Sequence, residues 1–163
     1  DGGTRFLYFP FANYVDGDFN AIHEMLQHPQ TVIGLGDGGA HVGTICDASF
    51  PTFLLSYWCR DRATGRIPVE RAIQMLATDT ARHLGMRDRG ELRVGLRGDL
   101  NVIDFDRLRL FRPRLVADLP AGGKRLLQPV QGYRATVVGG VVIAENDRLT
   151  GQRPGRLVRL GQN

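Results

Sequence analysis

The sequence predicts an α/β fold in which buried parallel strands give way to a small β module. Three observations predict it. Two short apolar runs, residues 6–11 and 31–35, flank an amphipathic stretch with short connections, the pattern of a strand–helix–strand unit with parallel neighbours. A glycine-rich loop follows the second run and carries one carboxylate, Asp37, where strand becomes loop. From residue 90 onward the texture turns to short β-branched runs separated by glycines.

The first run, Phe6, Leu7, Tyr8, Phe9, Pro10 and Phe11, is aromatic and continuous. Pro10 ends or bulges the strand. Asn13 to Gly17 reads as a turn and Asp18 as a helix N-cap. Phe19, Ile22, His23 and Leu26 follow at helical spacing, and His28 before Pro29 stops the helix. The run Thr31, Val32, Ile33, Gly34 and Leu35 is the second strand. Both runs read as buried on two faces, which an α/β barrel or a doubly wound sheet requires. Thr52 can cap a helix through Phe53, Leu54, Leu55, Tyr57 and Trp58. Val69, Ala72, Ile73, Leu76, Ala77, Thr80, Ala81 and Leu84 share one face at i, i+3, i+4 and i+7, and Gly85 is a natural end. Residues 100–105 read as a strand. Residues 107–131 hold three prolines and no clear period, and read as a long surface excursion. Thr136, Val137 and Val138 face Val141, Val142 and Ile143 across Gly139 and Gly140, a pair suited to a tight hairpin turn. Glu145, Asn146 and Asp147 turn again.

Composition excludes several classes. A chain 42% hydrophobic and 23% charged is globular rather than disordered. Lys124 is the one lysine beside 20 arginines, but acids are interleaved with them and no single-sign block forms, so a nucleic-acid partner is not indicated. Cys46 and Cys59 fit neither a disulfide scaffold nor a zinc spacing, and a reducing, cytoplasmic setting follows. No apolar run approaches the roughly 20 residues of a membrane span, so no membrane partner is expected. A start at Asp1, already close to an apolar run, reads as part of a longer protein or a processed chain.

Asp37 is the residue with chemistry to offer. A carboxylate at the carboxyl end of a parallel strand serves as general base or metal ligand; the plain alternative is a turn residue, since Asp-Gly is a common turn pair. His41, four residues on in the same loop, is a candidate substrate contact or a loop histidine bonded to backbone. Gly34, Gly36, Gly38 and Gly39 do not make a dinucleotide or P-loop fingerprint, because no lysine and no helix follow at the right distance. Cys46 reads as a loop thiol, and Arg60 and Arg62 as helix-end cations that could also reach an anion.

The order of these features carries a resemblance. Gly34, Leu35, Gly36, Asp37 and Gly38 precede a long loop. A helix with Ala77, Thr78, Asp79, Thr80, Ala81, Arg82, His83, Leu84 and Gly85 comes next. Then come Gly90, Glu91, Leu92, Gly95, Leu96, Gly98, Asp99, Leu100, Asn101, Val102, Ile103 and Asp104, and last a Val-x-Gly-Gly-Val-Val strand pair. This resembles the C-terminal portion of the amidohydrolase superfamily, in its D-aminoacylase (N-acyl-D-amino-acid deacylase) branch. The resemblance implies the last βα units of a TIM barrel over residues 1–90 and a small β-sandwich-like module over 91–163. It implies zinc-assisted hydrolysis of an amide by the complete enzyme. Asp37 matches the aspartate that takes a proton from the attacking water, and is also a candidate metal ligand. The other ligands, a His-x-His and mid-barrel histidines and a cysteine, are absent from this chain. His41, Val42 and Gly43 stand where His-Pro-Arg is expected. The implied partners are a small-molecule amide and an upstream portion of the protein or a partner chain. A rival reading is a non-catalytic α/β module that binds a ligand or partner, with Asp37 as a turn residue.

Overall fold

The computed structural model describes Leu7 and residues 12–14, 16–34 and 36–159. The chain forms two compact units, Asp1–Ile33 and Gly34–Asn163.

In the first unit, helix α1 spans Asn20–Gln27. Its N-cap, Phe19, lies one residue past the expected cap, Asp18. The Asp18 carboxylate accepts from the Asn20 amide at 2.8 Å and from the Asn20 side chain at 2.7 Å. The helix ends at His28, which is extended before Pro29, as the proline requires. The expected strand at 6–11 lies outside the described residues except for Leu7. Residues 31–34 belong to no strand, and Val32 is exposed. A barrel strand is buried on both faces and paired on both edges. This run is neither, because Gly34 and Gly36 interrupt it and leave too little side chain to bury.

The second unit holds the core. One helical run begins as α2 (Phe50–Phe53) and widens into a π-helical stretch over Leu54–Asp61. A second begins as α3 (Val69–Gln74), widens over Met75–Asp79, and closes as α4 (Thr80–His83). Pro51 stands in the first turn of α2, where its missing N–H costs nothing. Thr52 is therefore inside the helix rather than its cap, and is buried. Gly85 takes a left-handed φ of 70° and ends the second run, as glycine readily does. Leu54, Leu55, Trp58, Ala72, Met75 and Ala81 are buried together with the fully enclosed Ile67 and Leu108. Each large side chain so enclosed contributes about 1.5–3 kcal/mol. Arg60 fastens the first run to the turn at 105–108: its guanidinium donates to the carbonyls of Phe105, Asp106 (3.2 Å) and Leu108 (2.7 Å).

Eight short strands follow: β1 (Leu100–Ile103), β2 (Arg109–Leu110), β3 (Arg114–Leu119), β4 (Gly123–Leu127), β5 (Val130–Gln131), β6 (Tyr133–Val138), β7 (Val141–Glu145) and β8 (Arg148–Leu149). They form a four-stranded sheet in the order β1-β6-β7-β8 and two ribbons, β2-β5 and β3-β4. Every pair is antiparallel. The expected hairpin between β6 and β7 is present. Gly139 and Gly140 have φ of 58° and 82°, and Val138 faces Val141 across them, the two-residue turn that matches strand twist. Asn146 and Asp147 repeat it between β7 and β8 with φ of 48° and 64°. The stretch at 107–131 is not an unstructured excursion. It is an arm of two nested ribbons.

This architecture corrects the expectation of a TIM-barrel portion. The described residues form a mixed α/β fold with small open sheets, and no sheet closes on itself. Antiparallel pairing needs only short turns between neighbours, and the glycine-rich second half supplies them.

Candidate active site

The loop from Gly36 to Ser49 holds the candidate residues. Asp37 opens a turn in which the Ala40 amide donates to the Asp37 carbonyl at 3.0 Å. Gly39 sits at the third position with φ of 102°, which favours glycine there. His41 is left-handed at φ 43°, and its carbonyl accepts from Thr44 at 2.7 Å and Ile45 at 3.0 Å. Asp37 and His41 are both exposed. Among the described residues neither side chain has a hydrogen-bond or ion-pair partner. An aspartate kept only for its turn commonly bonds nearby backbone with its carboxylate. Here the carboxylate is left to solvent.

The glycines flanking Asp37 allow a close backbone approach. A Cβ on Gly36 would stand 3.0 Å from the Asp47 carbonyl oxygen, and one on Gly38 would stand 2.8 Å from the Ala48 nitrogen and Cβ. These atoms belong to the short 3-10 turn Asp47–Ser49. The Ser49 hydroxyl donates to Gln128 Oε1 at 2.5 Å. Leu126 of β4 donates its amide to the Val42 carbonyl at 2.7 Å. The Thr52 and Tyr133 hydroxyls are 2.7 Å apart, which joins α2 to β6.

Between loop and arm lies an open cleft of about 480 Å³, bordered by Gly38, Gly39 and Val42 on one side and Leu126, Gln128 and Tyr133 on the other. Cys46 also lines it; burial, and then the Asp47 charge, push its thiol up. Burial, and then Glu70, push Cys59 up to about 11. Raised thiols are poor nucleophiles at neutral pH. Arg60 is committed to three carbonyls and to Asp61 at 2.6 Å. Arg62 donates to the Thr64 carbonyl at 2.7 Å and lies 4.7 Å from the centre of the Trp58 ring. Both serve the fold. His28 accepts from the Gln30 amide at 3.3 Å, and His83 is exposed on α4. Many arginines are matched to carboxylates, including Arg71 to Asp79, Arg125 to Asp118 and Arg134 to Asp104.

The expectation of zinc and metal binding is corrected for this chain. Among the described residues no group of three His, Cys, Asp or Glu side chains could hold a metal ion. Asp37 lies on an exposed turn and belongs to no such group, so the described residues do not fit the ion. Among the described residues, too, no helix is long and apolar enough to cross a membrane. Sequence reading missed Gln128, Leu126 and Tyr133, which border the cleft from the arm and β6.

Comparison with known proteins falls on the same span. The chain is 29% identical over 149 residues to a D-aminoacylase of Alcaligenes xylosoxydans xylosoxydans, a stretch that covers 90% of this chain and 28% of that relative. No solved structure matches the chain. The sequence pattern of the amidohydrolase family matches residues 5–144, from before α1 through the Asp37 loop and both helical runs to Ala144 of β7. With the loop, the helices and most of the sheet inside that match, the chain belongs to the amidohydrolase family.

Proposed function

We propose that the full-length protein is a D-aminoacylase-like enzyme that hydrolyses the amide of an N-acyl-D-amino acid or a related amide, and that this chain supplies its proton-transferring group, Asp37. In this reading Asp37 takes a proton from water as the water oxygen adds to the amide carbonyl carbon. The C–N bond then breaks, and Asp37 returns the proton to the departing amine, leaving a carboxylate and a free amine. His41, four residues further along the same loop, contacts the substrate. The open cleft beside Gly38 and Gly39 receives it. The remaining groups of the site come from the rest of the protein or from a partner chain, since this chain spans 28% of the relative it matches. The division into residues 1–90, which hold the loop and helices, and a β module at 91–163 belongs to the same reading. The free thiols Cys46 and Cys59 support a reducing, cytoplasmic setting.

The observation that supports the proposal is the exposed Asp37 carboxylate, without a partner among the described residues, next in sequence to Gly38, which lines the cleft, and within the family's span. Asp37→Asn in the full-length protein tests it. The expected result is a fall in kcat of roughly 10²–10⁴-fold, with circular dichroism and melting temperature retained. Unchanged turnover would sink the assignment and favour a binding module.

A further inference from the structure

We propose that Gln128 is a positioning residue for Asp37, acting through Ser49 and the turn Asp47–Ser49. The proposal rests on the reading of Asp37 as the proton-transferring group. The hydrogen bonds within the Asp37 loop are local: Ala40 to Asp37, and Thr44 and Ile45 to His41. They shape the loop but do not fix its place. Among the described residues, two bonds reach it from the arm. One is backbone, from Leu126 to Val42. The other is side chain, from Ser49 to Gln128, residues 79 apart in sequence. Gln128 is itself oriented, because its Nε2 donates to the Phe111 carbonyl at 3.0 Å and so turns Oε1 toward Ser49.

Ser49 closes the turn against which the flanks of Asp37 lie. A Cβ on Gly36 would crowd Asp47 and Phe50 at 3.0–3.2 Å, and one on Gly38 would clash with Ala48 at 2.8–2.9 Å. The residues immediately before and after Asp37 are therefore both in contact with the segment that Gln128 anchors. A shift of that turn carries the carboxylate with it. Misplacement of a reacting group by about 1 Å can cost on the order of 10²-fold in rate.

The test uses the full-length protein and three variants: Gln128→Met, which keeps the length and loses both polar atoms; Ser49→Ala; and Ser49→Ala with Gln128→Met. Amide hydrogen exchange is read at Ala40, Thr44 and Ile45, with the amides of α3 as the control. Turnover is read on an N-acyl-D-amino acid. In Gln128→Met the loop amides are expected to exchange about 5-fold faster or more, while α3 is unchanged. Its kcat should fall about 10–100-fold with KM within about 3-fold. Ser49→Ala should match it, and the double variant should be no worse than either single one. Unchanged loop exchange in Gln128→Met overturns the proposal. So do faster exchange at full kcat and additive losses in the double variant. Failure of the Asp37 assignment is seen separately, as full turnover in Asp37→Asn while Gln128→Met still loosens the loop; that pattern overturns the catalytic role of Gln128 as well.

Discussion

Replacing Gly38 with alanine would place a Cβ 2.8 Å from the Ala48 nitrogen and Cβ and 2.9 Å from its Cα. Carbon atoms in good contact stand about 3.5–4.0 Å apart, so the turn or the loop must move by most of an ångström. The obstructing atoms are backbone and Cβ, so no side-chain rotation relieves them. Overpacking of this kind costs about 1–3 kcal/mol. Alanine also restricts the unfolded chain, which returns about 0.4–1 kcal/mol. At mid-range values of about 2 and about 0.7 kcal/mol, the net loss is about 1.3 kcal/mol. With a urea slope of about 2 kcal/mol/M, the unfolding midpoint should fall by about 0.5–1 M. Gly34→Ala is the control, because a Cβ there meets nothing within 4 Å. Its midpoint should hold or rise slightly. The assay is urea unfolding of both variants followed by far-UV circular dichroism. A Gly38→Ala midpoint equal to or above that of Gly34→Ala would refute the claim that the glycines beside Asp37 are there for close approach.

Arg60→Met keeps the apolar stem but removes every donor to Phe105, Asp106 and Leu108, and should lower stability by about 2–3 kcal/mol; no change in urea midpoint would mean that the clamp is idle. Because the Arg60 guanidinium also holds the Asp61 carboxyl below its usual range, its contribution is fully present above the unfolded carboxylate value of about 3.9 and is lost as pH falls through the lower folded value. The stability gap between wild type and Arg60→Met should thus narrow between pH 7 and pH 3, and a wider gap in acid would contradict it. With its thiol pushed up to about 11 from an ordinary 9.0, Cys59 should react with iodoacetamide at pH 8 about 100-fold more slowly than an unhindered thiol. Mass-spectrometric mapping that finds Cys59 labelled at the free-thiol rate would exclude that burial.

Elements with a strong local signal were legible. The stripe from Val69 to Leu84 marks the second helical run, though nothing in its period shows the widening at Met75–Asp79. Gly139 and Gly140 marked their turn because only residues tolerant of positive φ fit both positions. The run at 31–34 misled, since so few residues cannot separate a buried strand from an exposed connector, and Gly34 brings no packing of its own. The arm at 107–131 was hidden for another reason. β2 and β5 have two residues each, and β3 and β4 lose their alternation at an irregularity between Val116 and Leu119. Asp37 stood out from its glycine neighbours. Gln128 could not, because its partner Ser49 is 79 residues away and neither has a distinctive local setting.

The bond between Thr52 and Tyr133 joins residues 81 apart, and Ser49 and Gln128 are separated almost as widely. During synthesis the chain emerges at about 5–20 residues per second, so about 4–16 s pass between the appearance of Thr52 and that of Tyr133. Helical turns form in microseconds or less. For those seconds α2 can exist while the Asp37 loop, its arm still unmade, has no outside anchor. The site is then assembled last, by the ribosome's output rather than by the speed of local folding. A nascent chain stalled before Gln128 would present the Asp37 loop in its unanchored form.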